Sequence, residues 1–300
     1  MTNGEQSSKA DRRAELLALA GELRPELHRY CSRLVGSVIE GEDVVQDTLA
    51  KAFLALDGLT ETPQLRPWLF RIAHNRALDM LRSKAIRAAE PIEAAHDVVD
   101  QASPDPVEIL MRQEAVKTAV SRFTELPVLQ RSVIVLKDVL DEPLADIASL
   151  LDLTIDSVKA HLARGRARLR AINEKASPLP EIKSSSAAVE RYVALFNRGD
   201  WNGLRAMLAD DVKLNQSTHP VRTGSADVGM FFSIYAKIGD VWLQPAWLER
   251  REVIAVFDSR LAAKPSYFMW LEWHGSEITF IHDYKYVRYV MEGAELTISP

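Results

Sequence analysis

A change of period constrains this chain more than any other feature. From about Arg12 to Lys175 apolar residues recur at spacings of three and four, whereas the later runs beyond Ala187 alternate residue by residue. A face with a 3.6-residue period suits a helix and a two-residue period suits a strand, so the later part is not a continuation of the helix bundle. Two aperiodic stretches rich in proline and serine interrupt the pattern: "AAEPIEAAHDVVDQASPDP" (88–106) and "ASPLPEIKSSS" (176–186). The expected organisation is multidomain. An all-α domain spans 12–88, a linker 89–106, a second all-α domain 107–175, a linker 176–186 and an α+β domain 187–300.

In the last of these, "AAVERYVALFNRGDWNGLRAMLADD" predicts two helices, the second capped by Asp200. The runs "VWLQPAWLER", "EVIAVFDSRL", "SYFMWLEW" and "ITFIHDYKYVRYV" predict strands, with "HGSE" as a hairpin turn. Trp201, Trp242, Trp247, Trp270 and Trp273 all lie here.

The formal net charge is −5, which argues against gripping nucleic acid by bulk charge. Yet "TIDSVKAHLARGRARLRA" (154–171) gathers Lys159, Arg164, Arg166, Arg168 and Arg170. Thr154 can cap a helix there, and Asp156 suits its first turn. Ile155, Val158, Leu162 and Leu169 form the expected apolar stripe, which turns Ser157, Ala160 and Arg164 outward with Lys159 and Arg168 on the flanks. The preceding "EPLADIASLLDL" reads as a short helix with Pro143 at its first turn. Two short helices around a tight turn, the second with small and basic outward residues, make a helix-turn-helix. Its small side chains allow entry into a major groove, and its cations reach bases or phosphates. A solvated basic helix is the plainer reading, and the paired helix and tight turn weigh against it.

Two further faces stand out. In "GEDVVQDTLAKAFLAL" the apolar Val45, Leu49, Ala52, Phe53 and Leu56 share one side, while Glu42, Asp43, Gln46 and Asp47 are expected on the outside near the helix N-terminus. "RPWLFRIAHNRALDMLRSK" is apolar around most of its circumference except for one stripe, Arg71, Asn75, Asp79 and Arg82, able to bond an unpaired strand. Trp68, among Leu65, Leu69 and Ile72, is expected in the core.

"FTELPVLQRSVIVLKDVLDEPLADIASLLDLTIDSVKAHLARGRARLRAI" (123–172) resembles region 4 of a bacterial RNA polymerase sigma factor of the extracytoplasmic-function type. "LVGSVIEGEDVVQDTLAKAFLALDGL" and "LRPWLFRIAHNRALDMLRSK" resemble region 2 of the same family. The resemblance implies that the helix-turn-helix binds a promoter's minus-thirty-five element through Ser157, Lys159, Ala160 and Arg164, with Arg166 and Arg168 holding phosphates. It implies that Arg71, Asn75, Asp79 and Arg82, with the loop "TETPQLRP" and a base pocket near 62–66, serve the minus-ten element and strand separation. Glu42, Asp43, Gln46 and Asp47 would dock on the β′ clamp helices of polymerase core, and region 4 on the β flap.

"VERYVALFNRGDWNGLRAMLADDVKL" and "FIHDYKYVRYVMEGAEL" resemble a SnoaL-like domain, a cone of curved sheet around helices. A catalyst there would draw on Asp211, His219, His282 or Asp283, with Tyr284 or Tyr286 as donors; their spacing defines no constellation. Trp242, Trp247, Phe268 and Trp270 could line such a cone for a small molecule or simply fill it. The favoured role is a regulator in cis that contacts regions 2 and 4. The competing functions are a ligand-responsive helix-turn-helix regulator acting without polymerase and a SnoaL-type enzyme with a DNA-binding appendage. The second requires a wet cavity around His219 and Asp283.

The chain has one cysteine, Cys31, and scattered histidines, so no disulfide framework, metal or other cofactor is expected. The absence of a long apolar run predicts no membrane span, and cytoplasmic localisation is expected.

Overall fold

The computed structural model describes residues 3–56, 58, 63–88, 107–175 and 184–299, which fall into two units, one within Met1–Ser177 and one within Pro178–Pro300. The linker expected at 89–106 and most of the second, 176–183, lie outside the described residues.

The first unit is helical. It contains α1 (Asn3–Val35), α2 (Val38–Leu56), α3 (Leu65–Ala88), α4 (Val107–Lys117), a 3-10 turn (Val120–Glu125), α5 (Val128–Ile134), α6 (Leu144–Leu151) and α7 (Ile155–Glu174). Helix α1 begins upstream of the expected Arg12 and continues through Pro25. It stops at Gly36, where φ is +79° and the N–H groups of Gly36 and Ser37 both donate to the Ser32 carbonyl at 2.7 and 3.0 Å. Only glycine fits: the backbone is left-handed, and a Cβ would strike the Thr124 methyl. The Ser37 hydroxyl then accepts from the Glu40 N–H at 3.1 Å and starts α2.

The two helical blocks share one core, in which Leu27, Leu34, Val45 and Leu69 join Phe123, Ile134, Val158 and Leu162 in one apolar cluster. Trp68 packs half-buried against it. Arg131 stitches the blocks together from inside. It donates to the Leu34 carbonyl at the end of α1, and to those of Thr124 and Leu126 at 3.0 and 2.8 Å. Burial lowers its pKa to about 10. Arg33 donates back to the Val116 carbonyl at 3.3 Å, with its guanidinium 5.7 Å from the centre of the Phe123 ring.

The second unit is α+β. It comprises α8 (Ala187–Asn197), α9 (Trp201–Arg205), β1 (Leu208–Asn215), β2 (Arg222–Thr223), α10 (Ser225–Ile238), β3 (Trp242–Leu248), β4 (Arg251–Phe257), β5 (Tyr267–His274), β6 (Glu277–Asp283), a 3-10 turn (Arg288–Met291) and β7 (Thr297–Ile298). The sheet order is β2-β1-β6-β5-β4-β3-β7, antiparallel except for the parallel β1–β6 pair. The expected cap of α9 is present, with the Asp200 carboxylate accepting from the Gly203 N–H at 2.9 Å. The expectation that this helix runs on to Asp211 is corrected: the chain leaves the helix after Arg205 and Leu208–Asn215 becomes a strand beside β6. Helix α10 was not foreseen.

One face of the sheet holds the core with α8, α9 and α10, filled by Tyr192, Phe196, Phe231, Phe232, Tyr235 and Tyr267. Tyr267, Met269 and Leu271 belong to that face, so Phe268 and Trp270 between them point to the other. Trp242 likewise lies opposite the core residue Leu243, beneath the Arg260 guanidinium at 4.6 Å. The aromatics expected to line or fill the cone are thus largely outside it.

Candidate nucleic-acid interface

The helix-turn-helix is assembled by local chemistry. Helix α6 follows Pro143 and ends at Asp152, whose φ of 56° turns the chain, and the Leu153 N–H returns to the Ala148 carbonyl at 2.9 Å. The Thr154 hydroxyl accepts from the Ser157 N–H at 3.1 Å and caps α7. The buried side of α7 is Val158, Leu162, Gly165, Leu169 and Ile172. At Gly165 a Cβ would lie 2.6 Å from Ile134 Cδ1, so α7 and α5 meet more closely there than any other residue permits.

This packing corrects the expected phase of α7. Ile155, placed in the apolar stripe, is 44% exposed, and Ala160, placed outward, is buried. Ala160 therefore cannot offer a contact to DNA. Arg166, expected on a phosphate, donates instead from Nε and Nη2 to the buried Asp138 carboxylate at 2.9 and 2.5 Å. Lys159 and Arg168 are exposed as expected, Ser157 is half-buried, and Arg164 is half-buried with Nη2 3.4 Å from His161 Nδ1. Burial, then the neighbouring Arg164 charge, lowers the His161 pKa. The exposed face also contains Asp156, Ala163, Ala167 and Arg170, of which the last three were missed. Measuring the phase from Val158, Leu162, Leu169 and Ile172 would have found them.

Helix α3 presents Arg71, Asn75, Asp79 and Arg82 together on its exposed side. Arg82 pairs with Asp79 at 3.2 Å, and Arg71 donates to the Ser149 carbonyl of α6 at 3.0 Å. Behind the stripe, His74 bonds the Tyr30 hydroxyl at 2.7 Å, and burial lowers its pKa to about 4. Arg66 forms ion pairs with Glu26 at 2.6 Å and with Glu142, at the mouth of a cleft between α3 and α6 that includes Phe70, Ile147 and Leu150. Of the expected base pocket, residue 62 lies outside the described residues.

On α2, Asp43 and Asp47 are exposed and Gln46 is half-buried; Asp47 pairs with Arg76 of α3. Glu42 is a correction. Its side chain is wholly buried against Arg24 of α1 at 2.6 Å and offers no docking surface. The reason is positional: Val38, Glu42, Val45, Leu49, Ala52 and Leu56 follow spacings of four and three, all buried.

The ionisable groups of the second unit do not converge. Asp211 and His219 are exposed, the latter against Tyr286 with ring centres 4.3 Å apart. His282 lies between Trp270 and Phe280, at 4.5 and 4.0 Å, with Nε2 3.0 Å from Glu272, and burial lowers its pKa. Tyr284 is buried against Phe268. Asp283 is buried on the core side, accepting from Gln216 Nε2 at 2.7 Å and the Lys285 N–H at 3.1 Å, and burial raises its pKa to about 6. Near it the Tyr235 and Tyr267 hydroxyls bond each other at 2.7 Å. Among the described residues no group of three or more His, Cys, Asp or Glu could hold a metal ion, and no helix is long and apolar enough to cross a membrane.

The helical unit thus carries two exposed polar surfaces, the stripe on α3 and the basic second helix of a helix-turn-helix. Residues 19–86 match the family Sigma-70 region 2, and residues 116–169 match Sigma-70, region 4. The chain is 30% identical over 215 residues to the ECF RNA polymerase sigma factor SigG of Mycobacterium tuberculosis, an alignment covering 63% of this chain and 58% of SigG. It is 32% identical over 135 residues to the RNA polymerase sigma factor NccH of Alcaligenes xylosoxydans xylosoxydans, covering 44% of this chain and 72% of that one. A similar solved structure, the Mycobacterium tuberculosis extracytoplasmic function sigma factor SigJ, is 20% identical with a TM-score of 0.35, covering 89% of this chain and 95% of that chain. The chain belongs to the ECF RNA polymerase sigma factors.

Proposed function

We propose that the chain directs RNA polymerase core to specific promoters and initiates transcription there, in the cytoplasm. The observation that carries this reading is the pair of exposed polar surfaces in one helical unit, the α3 stripe and the α7 face. In this reading Lys159 and Arg164, with the small side chains of Ser157 and Ala163, address base edges of the upstream promoter element. Arg168 and Arg170 hold phosphates. Arg71, Asn75, Asp79 and Arg82 address the downstream element, and Arg71 must then exchange the Ser149 carbonyl for DNA. Asp43, Gln46 and Asp47 dock on the β′ clamp helices, and the second helical block on the β flap. The net charge of −5 accords with a factor that needs polymerase to bind DNA well.

The second unit acts, in this proposal, as a SnoaL-like regulator in cis rather than as an enzyme. The separation of exposed His219 from buried Asp283 supports a regulator over a catalyst. The match to region 2 supports a polymerase-dependent factor over a free-standing repressor or activator.

Run-off transcription with purified core polymerase tests the proposal. Lys159→Ala is expected to lower promoter-specific transcript, and removal of residues 178–300 to change its amount. Full output from Lys159→Ala, or tight promoter binding without polymerase, would refute the first part; unchanged output from the truncated chain would refute the second.

A further inference from the structure

Arg166 lies on the helix proposed to read the promoter, yet its guanidinium turns away from solvent. Nε donates to Asp138 Oδ2 at 2.9 Å and Nη2 to Oδ1 at 2.5 Å. The Asp138 side chain is 0% exposed and that of Arg166 13%. A planar fork gripping both oxygens of a carboxylate fixes rotation as well as distance, which a single point contact cannot.

The element that supplies Asp138 is itself unusual. Residues Val135–Val139 form a π-helical turn at the end of α5, closed by the Leu140 N–H on the Val135 carbonyl at 3.0 Å. One residue before Arg166, Gly165 seats α7 directly on Ile134. Successive residues project about 100° apart around a helix, so the two fixings grip α7 on different sides. Together they set its roll about its own axis.

Roll decides what the exposed face presents. Side-chain tips lie roughly 5–6 Å from a helix axis, so a roll of about 20° carries them about 2 Å sideways. Hydrogen bonds to base edges tolerate only a few tenths of an ångström.

We infer that Arg166 is a positioning residue: its fork with Asp138 sets the roll of α7 and thereby determines whether Lys159, Ala163 and Arg164 meet the promoter's base edges. This inference rests on the reading of α7 as the recognition helix.

The test uses the full chain assembled with core polymerase. Binding is measured across a salt series to promoter DNA and to the same DNA with its upstream element replaced. Arg166→Lys and Asp138→Asn are each expected to reduce the preference for the intact promoter about tenfold, while the slope of log affinity against log salt stays at the wild-type value. Arg168→Ala, the phosphate control, is expected to reduce the magnitude of that slope by about 0.9 and leave the preference unchanged. Because the preference is a ratio, it does not depend on the fraction of each variant that is folded. A smaller slope magnitude in Arg166→Gln, which removes the charge, with Asp138→Asn behaving as wild type, would show that Arg166 touches phosphate and would overturn the inference. Wild-type preference in both Arg166→Lys and Asp138→Asn would overturn it as well. Lys159→Ala separates the two levels: if it too keeps full preference, the recognition-helix reading itself fails.

Discussion

Replacing Asp283 by Asn should make the second unit more stable at neutral pH while leaving it nearly unchanged in acid. The carboxyl is 1% exposed, and burial raises its pKa from 3.8 to about 6. Below the unfolded pKa both folded and unfolded chains carry the proton, so Asp283 costs nothing. As pH rises from about 4 to about 6 the unfolded chain ionises first, and stability falls until the folded group also ionises. A displacement of about two pH units at 1.36 kcal/mol per unit amounts to roughly 3 kcal/mol, complete by about pH 7. Asparagine can still accept from the Lys285 N–H, and rotation of the Gln216 amide would return that hydrogen bond with its sense reversed. Urea unfolding followed by tryptophan fluorescence suits the measurement, since of the tryptophans only Trp68 lies outside this unit. His282, half-buried and inclined to stay neutral, shifts stability with pH in the opposite sense, and subtracting the wild-type curve from the variant curve removes it. A difference that does not grow between pH 4 and 7, or a variant less stable than wild type at both, would refute the reasoning.

Removing Arg24 by substitution with Ala should destabilise the helical unit by about 3–5 kcal/mol, because it takes the ion-pair partner from the buried Glu42 carboxylate; the joint change Arg24→Met with Glu42→Leu should restore most of that loss in urea unfolding followed by circular dichroism. Gly165→Ala should cost about 1–3 kcal/mol by the same measure, since its methyl meets Ile134 Cδ1 at 2.6 Å, and should also weaken promoter use by displacing α7 from α5.

What the chain's own pattern determined was the sequence of periods. Helical spacing gave way to alternation within the second unit, the hairpin fell at "HGSE", and Thr154 and Asp200 capped the helices placed after them. These features are local: a cap or a turn is decided by residues within a few positions of it. The α3 stripe was also legible, because Arg71, Asn75, Asp79 and Arg82 follow helical spacings of four, four and three, and all four are exposed.

Tertiary structure decided everything that depended on a distant partner. "LRAMLADD" is a good helix former by composition, and only pairing with β6, far along the chain, makes Leu208–Asn215 a strand. Glu42 reads as a solvated acid until Arg24 arrives from α1 to neutralise it, and Arg166 reads as a phosphate contact until Asp138 takes its fork. Asp283 acquires its raised pKa from walls contributed by α8, α10 and β5. A charge is cheap in water and costly in a core, so whether it faces solvent or a buried counter-ion is set by chain segments that sequence proximity does not reveal.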